Sequence, residues 1–289
     1  VVFEPLRALR VFVPLREKRW NELANQRNQV VTRTALTKFR KLPFAICDSQ
    51  SRNLLIFNLQ SLLMRICLFS DTHGNLVALE AVLADMKHQG AFDLTIMAGD
   101  LALMGPRPAE TIDCLRALNI PIIVGNTDLM IVQSEPMGVW AREQIGQERL
   151  DYLARLPFAY SVQPAAGHEL MIVHANPKNV DDALRPDTPE SDVRNLVSHL
   201  NVDVLAFGHI HIPYIRKVDN LTLFDIASAG FPRDGDQRAA YGIAEWRDGQ
   251  WRLSHRRVPY DVAKLLQDFQ TCGMPRAERY AQLFENAKY

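Results

Sequence analysis

From residue 64 onward the chain alternates between short apolar runs and longer segments of mixed polarity. RICLFS (65–70), FDLTIMAGD (92–100) and IPIIVGN (120–126) are apolar runs that end on polar or glycine residues, the pattern of buried strands. Between them, NLVALEAVLADMKHQ (75–89) and PAETIDCLRAL (108–118) carry helical periodicity. This order predicts βαβ units around a buried, mostly parallel sheet. Asn75 is placed to cap the first helix and Gly90 to stop it. A helix is predicted over 139–156, a strand over 169–174, a long loop over 175–190, a helix over 191–200 and a strand over 202–208. Four more strands, near 212–218, 221–227, 239–246 and 251–258, follow at short spacings that predict antiparallel pairing. Two amphipathic helical patterns close the chain.

Residues 1–63 break this pattern. They hold 11 Lys and Arg against 4 Asp and Glu, and no glycine, whereas all 14 glycines lie beyond residue 73. The expected organisation is a basic N-terminal extension over 1–63 and one domain over 64–289. Met64 directly precedes the first strand, so a misassigned start is the preferred reading of the extension, with a regulatory or targeting segment as the alternative.

Composition changes the picture little. A 289-residue chain with 47% hydrophobic and 23% charged residues is that of a soluble globular protein. The zero net charge gives no specific sign of nucleic-acid binding. No run reaches the roughly 18 apolar residues of a membrane span. Cys47, Cys67, Cys114 and Cys272 are scattered without a CxxC pair, which argues against a disulfide framework and fits a cytoplasmic protein. An oligomer is possible, but its state is not readable.

The chemistry lies where strands stop. Asp71 and His73 follow the first strand, Asp100 the second, and Asn126 the third; His174 ends LMIVH, and His209 and His211 come from FGHIH. Strand ends of an open sheet face one crevice, so residues far apart in sequence can converge there. Each fragment alone has an ordinary explanation, such as turn chemistry for Gly-Asp and Gly-Asn or a core histidine for His174. Together they recur in order at successive strand ends and use four of the eight histidines. Two carboxylates and four imidazoles in one cleft without a cation would leave charge and lone pairs uncompensated. Imidazole, carboxylate and amide oxygen suit Mn, Fe, Co, Ni or Zn, with Mn favoured here. Seven ligands suit two divalent ions per chain sharing one carboxylate, and Asp100 is the natural bridge because its strand lies between the other contributors. His88, His168, His199 and His255 are read as surface or structural. Arg107, Arg185 and Arg233 are candidates for substrate contacts, because guanidinium matches phosphate geometry.

The ordered set D-x-H, G-D, G-N-x-D, H and G-H-x-H resembles the calcineurin-like metallophosphoesterases, in particular their small bacterial and archaeal phosphodiesterase branch. The resemblance covers about residues 64–258, and FPRDGDQRAAYG (231–242) and RRVPYDV (256–262) are similar to that branch too. It implies an α/β fold, a four-layer α/β/β/α sandwich of two mixed sheets with a dinuclear site at the C-terminal strand ends. Carried over by motif, Asp71, His73 and His211 hold one metal, Asn126, His174 and His209 the other, and Asp100 bridges. The implied function is a metal-dependent phosphodiesterase acting on a small phosphate ester, with a bridging hydroxide attacking phosphorus in line. Alternatives are a phosphomonoesterase or dinucleoside polyphosphate hydrolase on the same core, and a non-catalytic interaction module, since the family resembles at least one trafficking-complex subunit. The chain departs from much of the wider family in having Thr127, not histidine, after the Gly-Asn pair. Threonine cannot donate a proton as an imidazolium does near neutral pH.

Overall fold

The computed structural model describes residues 63–131 and 136–288. The expected extension over 1–63, and with it the question of where translation starts, lies outside the described residues except for Leu63.

Two sheets are built from nine strands among the described residues. The first has the order β2 (Leu94–Met97), β1 (Met64–Phe69), β8 (Ala239–Arg247), β9 (Gln250–Val258). The second has the order β3 (Ala159–Ala165), β4 (His168–Val173), β5 (Val204–Phe207), β7 (Leu221–Asp225), β6 (Tyr214–Val218). Both are mixed. β1 runs parallel to β2 and antiparallel to β8, while β5 is parallel to both β4 and β7.

Alternation along each strand decides what it packs against. In β1, Ile66 and Leu68 point into the core between the sheets, and Cys67 and Phe69 into a core on the other face. In β5, Val204 and Ala206 join the inter-sheet core and Leu205 and Phe207 a third core. Each fully buried Val, Leu, Ile or Phe side chain among these contributes about 1.5–3 kcal/mol, so a one-residue slip of register would be costly.

The outer layers are helical. α1 (Leu76–His88), α2 (Pro108–Ala117), α4 (Pro136–Ile145), α5 (Gln147–Leu153), α7 (Val262–Thr271) and α8 (Ala277–Asn286) supply apolar residues to the core outside the first sheet, which also includes Ile131, just past the short α3 (Asn126–Met130). α6 (Glu190–Val197) covers the second sheet through Val193. The result is the expected α/β/β/α sandwich. As expected, Asn75 caps α1, its side chain accepting from the Ala78 amide at 3.0 Å, and Gly90 follows the helix at a φ of 86°.

Four details depart from the sequence reading. Residues 120–126 make only one bridge, Ile122 to Met97, before the backbone turns to Pro157 and enters α3. The single helix expected over 139–156 is two, α4 and α5, because Gly146 between them has a φ of 72°. The strand β3 was not anticipated; only Val162 in it is buried. Finally, β7 and β8 do not pair, since the chain leaves the second sheet after Asp225 and enters the first at Ala239. No helix among the described residues is long and apolar enough to cross a membrane.

Candidate metal centre

All seven expected ligands follow the ends of β1, β2, β4 and β5 or open α3. The loops carrying them touch one another. A Cβ on Gly125 would overlap the Asp100 carboxylate, and one on Gly208 would overlap Ser70 Oγ and Asp71 Oδ2, so these two positions need glycine for close approach. Asp71, His73, Asp100, His209 and His211 have φ values of 47–70°, a left-handed backbone that Asp and His tolerate better than most residues. Such conformations cost energy and persist where the surroundings enforce them.

The donors fall into two halves. In the first, ligand atoms of Asp71, His73, Asp100 and His211 all lie within 4.8 Å of one another. Asp71 Oδ1 is 3.0 Å from His211 Nε2 and 3.6 Å from His73 Nε2, and the two Nε2 atoms are 3.2 Å apart. In the second, Asn126 Oδ1 is 3.0 Å from His174 Nε2 and 3.2 Å from His209 Nδ1. Asp100 faces both halves, Oδ2 lying 3.5 Å from His73 Nε2 and Oδ1 3.4 Å from His174 Nε2. The first half is buried, whereas Asn126 and His209 are only half-buried, so the second is the more open.

Carbonyls set the imidazole tautomers. The Nδ1 atoms of His73, His174 and His211 lie 2.9, 2.9 and 2.6 Å from the carbonyl oxygens of Leu103, Ala98 and Phe231. A carbonyl only accepts, so each Nδ1 carries the hydrogen and, in the neutral ring, each Nε2 turns a lone pair inward. Lone pairs 3.2 Å apart, against two carboxylates, require a cation or protons between them. The donor set therefore fits divalent metal.

The electrostatics agree. Burial favours the neutral Asp71 carboxyl, yet the His211 and His73 rings beside it hold it well below the usual carboxylate range. Burial lowers the His73 imidazole, but the carboxylates of Asp71 and Asp100 raise it above its ordinary value. The same two carboxylates outweigh burial at His174. Burial dominates at His209 and His211 and lowers both, with the charge on His174 adding at His209 and those on His73 and Arg233 adding at His211.

Two further groups support the ligands: Ser70, which had no signal in the sequence spacing, and Asp128, the aspartate of the G-N-x-D motif. Ser70 Oγ lies 2.5 Å from Asp71 Oδ2 and 2.8 Å from the Ala227 carbonyl oxygen, and the His209 amide donates to the same Asp71 oxygen at 3.0 Å. Asp71 Oδ2 is thereby occupied by protein and Oδ1 is left facing the imidazoles. Asp128, buried, accepts at 2.9 Å from the amides of Asp100, Leu101 and Gly125, tying the loop after β2 to the start of α3. Burial and neighbouring Asp100 push its carboxyl up to about 7. Thr127 is buried, its amide donating to Asp100 Oδ1 at 2.9 Å.

The three candidate arginines part company. Arg233 is half-buried, its amide donating to the His211 carbonyl at 3.3 Å and its guanidinium lying over the Phe231 ring. Arg107 directs its guanidinium to Glu110 at 3.2 Å and toward Asp268 at 3.9 Å, and Arg185 is exposed in the loop between β4 and α6. Of the remaining histidines, His168 pairs with Asp203 at 2.8 Å and His255 Nε2 lies 2.6 Å from the Asp225 carbonyl oxygen.

Known proteins resemble this chain in sequence and fold. Residues 64–249 match the calcineurin-like phosphoesterase superfamily domain. An uncharacterised protein of Methanocaldococcus jannaschii is 30% identical over 226 residues, covering 69% of this chain and 89% of that protein. The crystal structure of a metallophosphoesterase from Sphaerobacter thermophilus is similar with a TM-score of 0.64 and 26% identity, covering 78% of this chain and 99% of the other. A hypothetical protein from Pyrococcus horikoshii shares the fold, with a TM-score of 0.68 at 19% identity over 78% of this chain and all of the other. With a family match from the first strand through β8 and the donor set assembled at the strand ends, the chain belongs to the calcineurin-like phosphoesterase superfamily.

Proposed function

We propose that the chain is a phosphodiesterase that holds two divalent cations, with manganese favoured, in a cytoplasmic setting as the cysteine spacing indicates. Asp71, His73 and His211 would hold one ion, Asn126, His174 and His209 the other, and Asp100 both. The observation that carries this reading is the convergence of three carbonyl-fixed imidazole lone pairs on two buried carboxylates. Bound there, the cations would supply the charge that polarises a phosphoryl oxygen and acidifies water. Asp71 and Asp100 bring two negative charges, fewer than two divalent ions carry, so the ligand set leaves room for an anion. Asn126 and His209 form the more open edge, where a phosphate ester enters. The Arg233 guanidinium lies over the Phe231 ring, which packs against His211, and from there would offer a phosphate oxygen a planar donor fork.

The preference for diesters rests on Thr127 and Asp128. Thr127 occupies the position after Asn126 without an imidazole, and Asp128 spends its carboxylate oxygens on three backbone amides. Neither is arranged to protonate a leaving oxygen, a role worth roughly 10²- to 10⁴-fold for a poor leaving group. A singly charged diester with an acidic leaving group needs that help least. The test is hydrolysis of bis-p-nitrophenyl phosphate against an alkyl monoester by manganese-loaded protein. A higher kcat/KM for the diester is expected. Faster monoester hydrolysis would overturn the diester preference, and no turnover with metal demonstrably bound would make the chain a binding module.

A further inference from the structure

The loop after β7 sets one aromatic ring against the metal centre. Phe231 is fully buried, its ring edge-on to His73 with centres 5.5 Å apart and tilted against His211 at 5.6 Å. Its carbonyl oxygen is the one that fixes the His211 tautomer. Both faces of the ring are covered. The ring of Phe284, from α8, stacks on Phe231 at 3.9 Å between centres and 14° from parallel, and Arg233 Cζ also lies 3.9 Å from the Phe231 centre. Two groups at that distance cannot share a face, so the guanidinium takes the face opposite Phe284.

α8 is fastened to the same loop by hydrogen bonds. The Gly235 amide donates to the Ala287 carbonyl at 2.7 Å, and the Gln237 side-chain amide donates to the Glu285 carbonyl. Phe269 of α7 meets Phe284 edge-on at 5.3 Å. Both helices lie beyond residue 249, where the family match ends, yet they reach the ring that touches two candidate ligands.

We infer that α8 is a positioning element for anion recognition: Phe284 fixes the plane of Phe231, and that ring, itself packed against His211, holds the Arg233 guanidinium on its other face to receive the phosphate of the substrate. This rests on the phosphoesterase reading above. An arginine has many rotamers to lose on binding, and ordering one such side chain costs about 2- to 12-fold in affinity. A cation resting on an aromatic face is attracted to it and is already ordered. Phe284 supplies the rigid backing, and is a positioning residue.

The experiment uses the full chain loaded with Mn²⁺ and compares wild type, Phe284→Leu, Arg233→Lys and the double variant, with Phe224→Leu as a control in the inter-sheet core. Metal content is measured first, then the Kd of inorganic phosphate by calorimetry, then KM and kcat for bis-p-nitrophenyl phosphate. Phe284→Leu is expected to keep wild-type metal content, weaken phosphate and raise KM by about 3- to 10-fold, and leave kcat within about 2-fold. In the Arg233→Lys background the same change is expected to add nothing, because the group it positions has been replaced. Phe224→Leu is expected to leave phosphate affinity unaltered. An unchanged phosphate Kd in folded, metal-loaded Phe284→Leu, or an equal loss in both backgrounds, would overturn the inference. Should Phe284→Leu not fold, Phe284→Met, which keeps more of the volume, is read the same way. Wild type that binds metal but neither phosphate nor diester brings down the phosphoesterase reading, and this inference with it; wild type that does both and is matched by Phe284→Leu brings down the inference alone.

Discussion

Replacing Asp100 by Asn tests the architecture of the centre at one atom pair. The carboxylate stands 3.5 Å from His73 Nε2 and 3.4 Å from His174 Nε2, so its charge is felt in both halves. Two unit charges 3.5 Å apart interact with about 5 kcal/mol at an effective dielectric constant near 20. If desolvation and relaxation offset half of this, about 2.4 kcal/mol remains for each half, roughly 50-fold in affinity. Asn keeps an oxygen to accept the Thr127 amide, a bond of 2.9 Å, so the local fold is expected to survive. Asn126→Ala and His209→Ala touch the second half only and should cost one ion. The assay is metal content by elemental analysis after dialysis, followed by calorimetric titration with Mn²⁺. Asp100→Asn is expected to retain fewer than one ion per chain and to bind both at least about 50-fold more weakly. Two ions retained at wild-type affinity would show that another residue links the halves.

A chain beginning at Met64 is expected to fold, bind metal and turn over like the full chain, since every candidate ligand and the family match lie at or beyond that residue; an insoluble or inactive shortened protein in a melt and a diester assay would refute this. Thr127→His is expected to help the substrate with the most basic leaving group by about 10-fold or more and an aryl diester little, measured as kcat/KM along a series of leaving groups at fixed metal occupancy; a uniform effect would remove the role assigned to the missing imidazole. Asp85, on α1, accepts from Arg256 at 2.8 and 2.9 Å and from Tyr241 at 2.7 Å. The Arg256 guanidinium, with help from Tyr241, holds its carboxyl below the ordinary 3.8 despite some desolvation. A depressed carboxylate stabilises the fold above its unfolded pKa and loses that contribution as pH falls through the folded value. Asp85→Asn is therefore expected to cost about 1–2 kcal/mol at pH 7 and progressively less below pH 3.8, read by urea melts; a difference constant with pH would show that charge is not involved.

The candidate ligands were legible in the sequence because each interrupts or follows an apolar run where that run must stop. His174 after LMIV and Asp100 after TIMAG stand out against strands that have no other use for them. β3 was not legible, because a strand with one buried residue leaves no apolar run. IPIIVGN has the composition of a strand, but it makes a single bridge to Met97, and an apolar run cannot report how many neighbours it will find. The missing β7–β8 pair is a topological fact, set by which sheet has an open edge beside β1. Ser70, Phe231 and Phe284 act through contacts with residues far away in the chain; Ser70 to Ala227 alone spans 157 positions. No local pattern encodes such a partner.

The donors come from both sheets, Asp71, His73 and Asp100 from the first and His174, His209 and His211 from the second. A chain whose sheets have formed but not yet docked therefore offers an ion only part of each donor set. Metal would act as a latch on the closed sandwich, binding the native state and little before it. At 100 times its Kd an ion would add about 2.7 kcal/mol to the native state alone. If the sheets dock late, that energy is absent from the folding transition state, so it would slow opening while leaving the rate of folding nearly unchanged. The loaded protein would then owe its lifetime against proteases to the seam between its sheets.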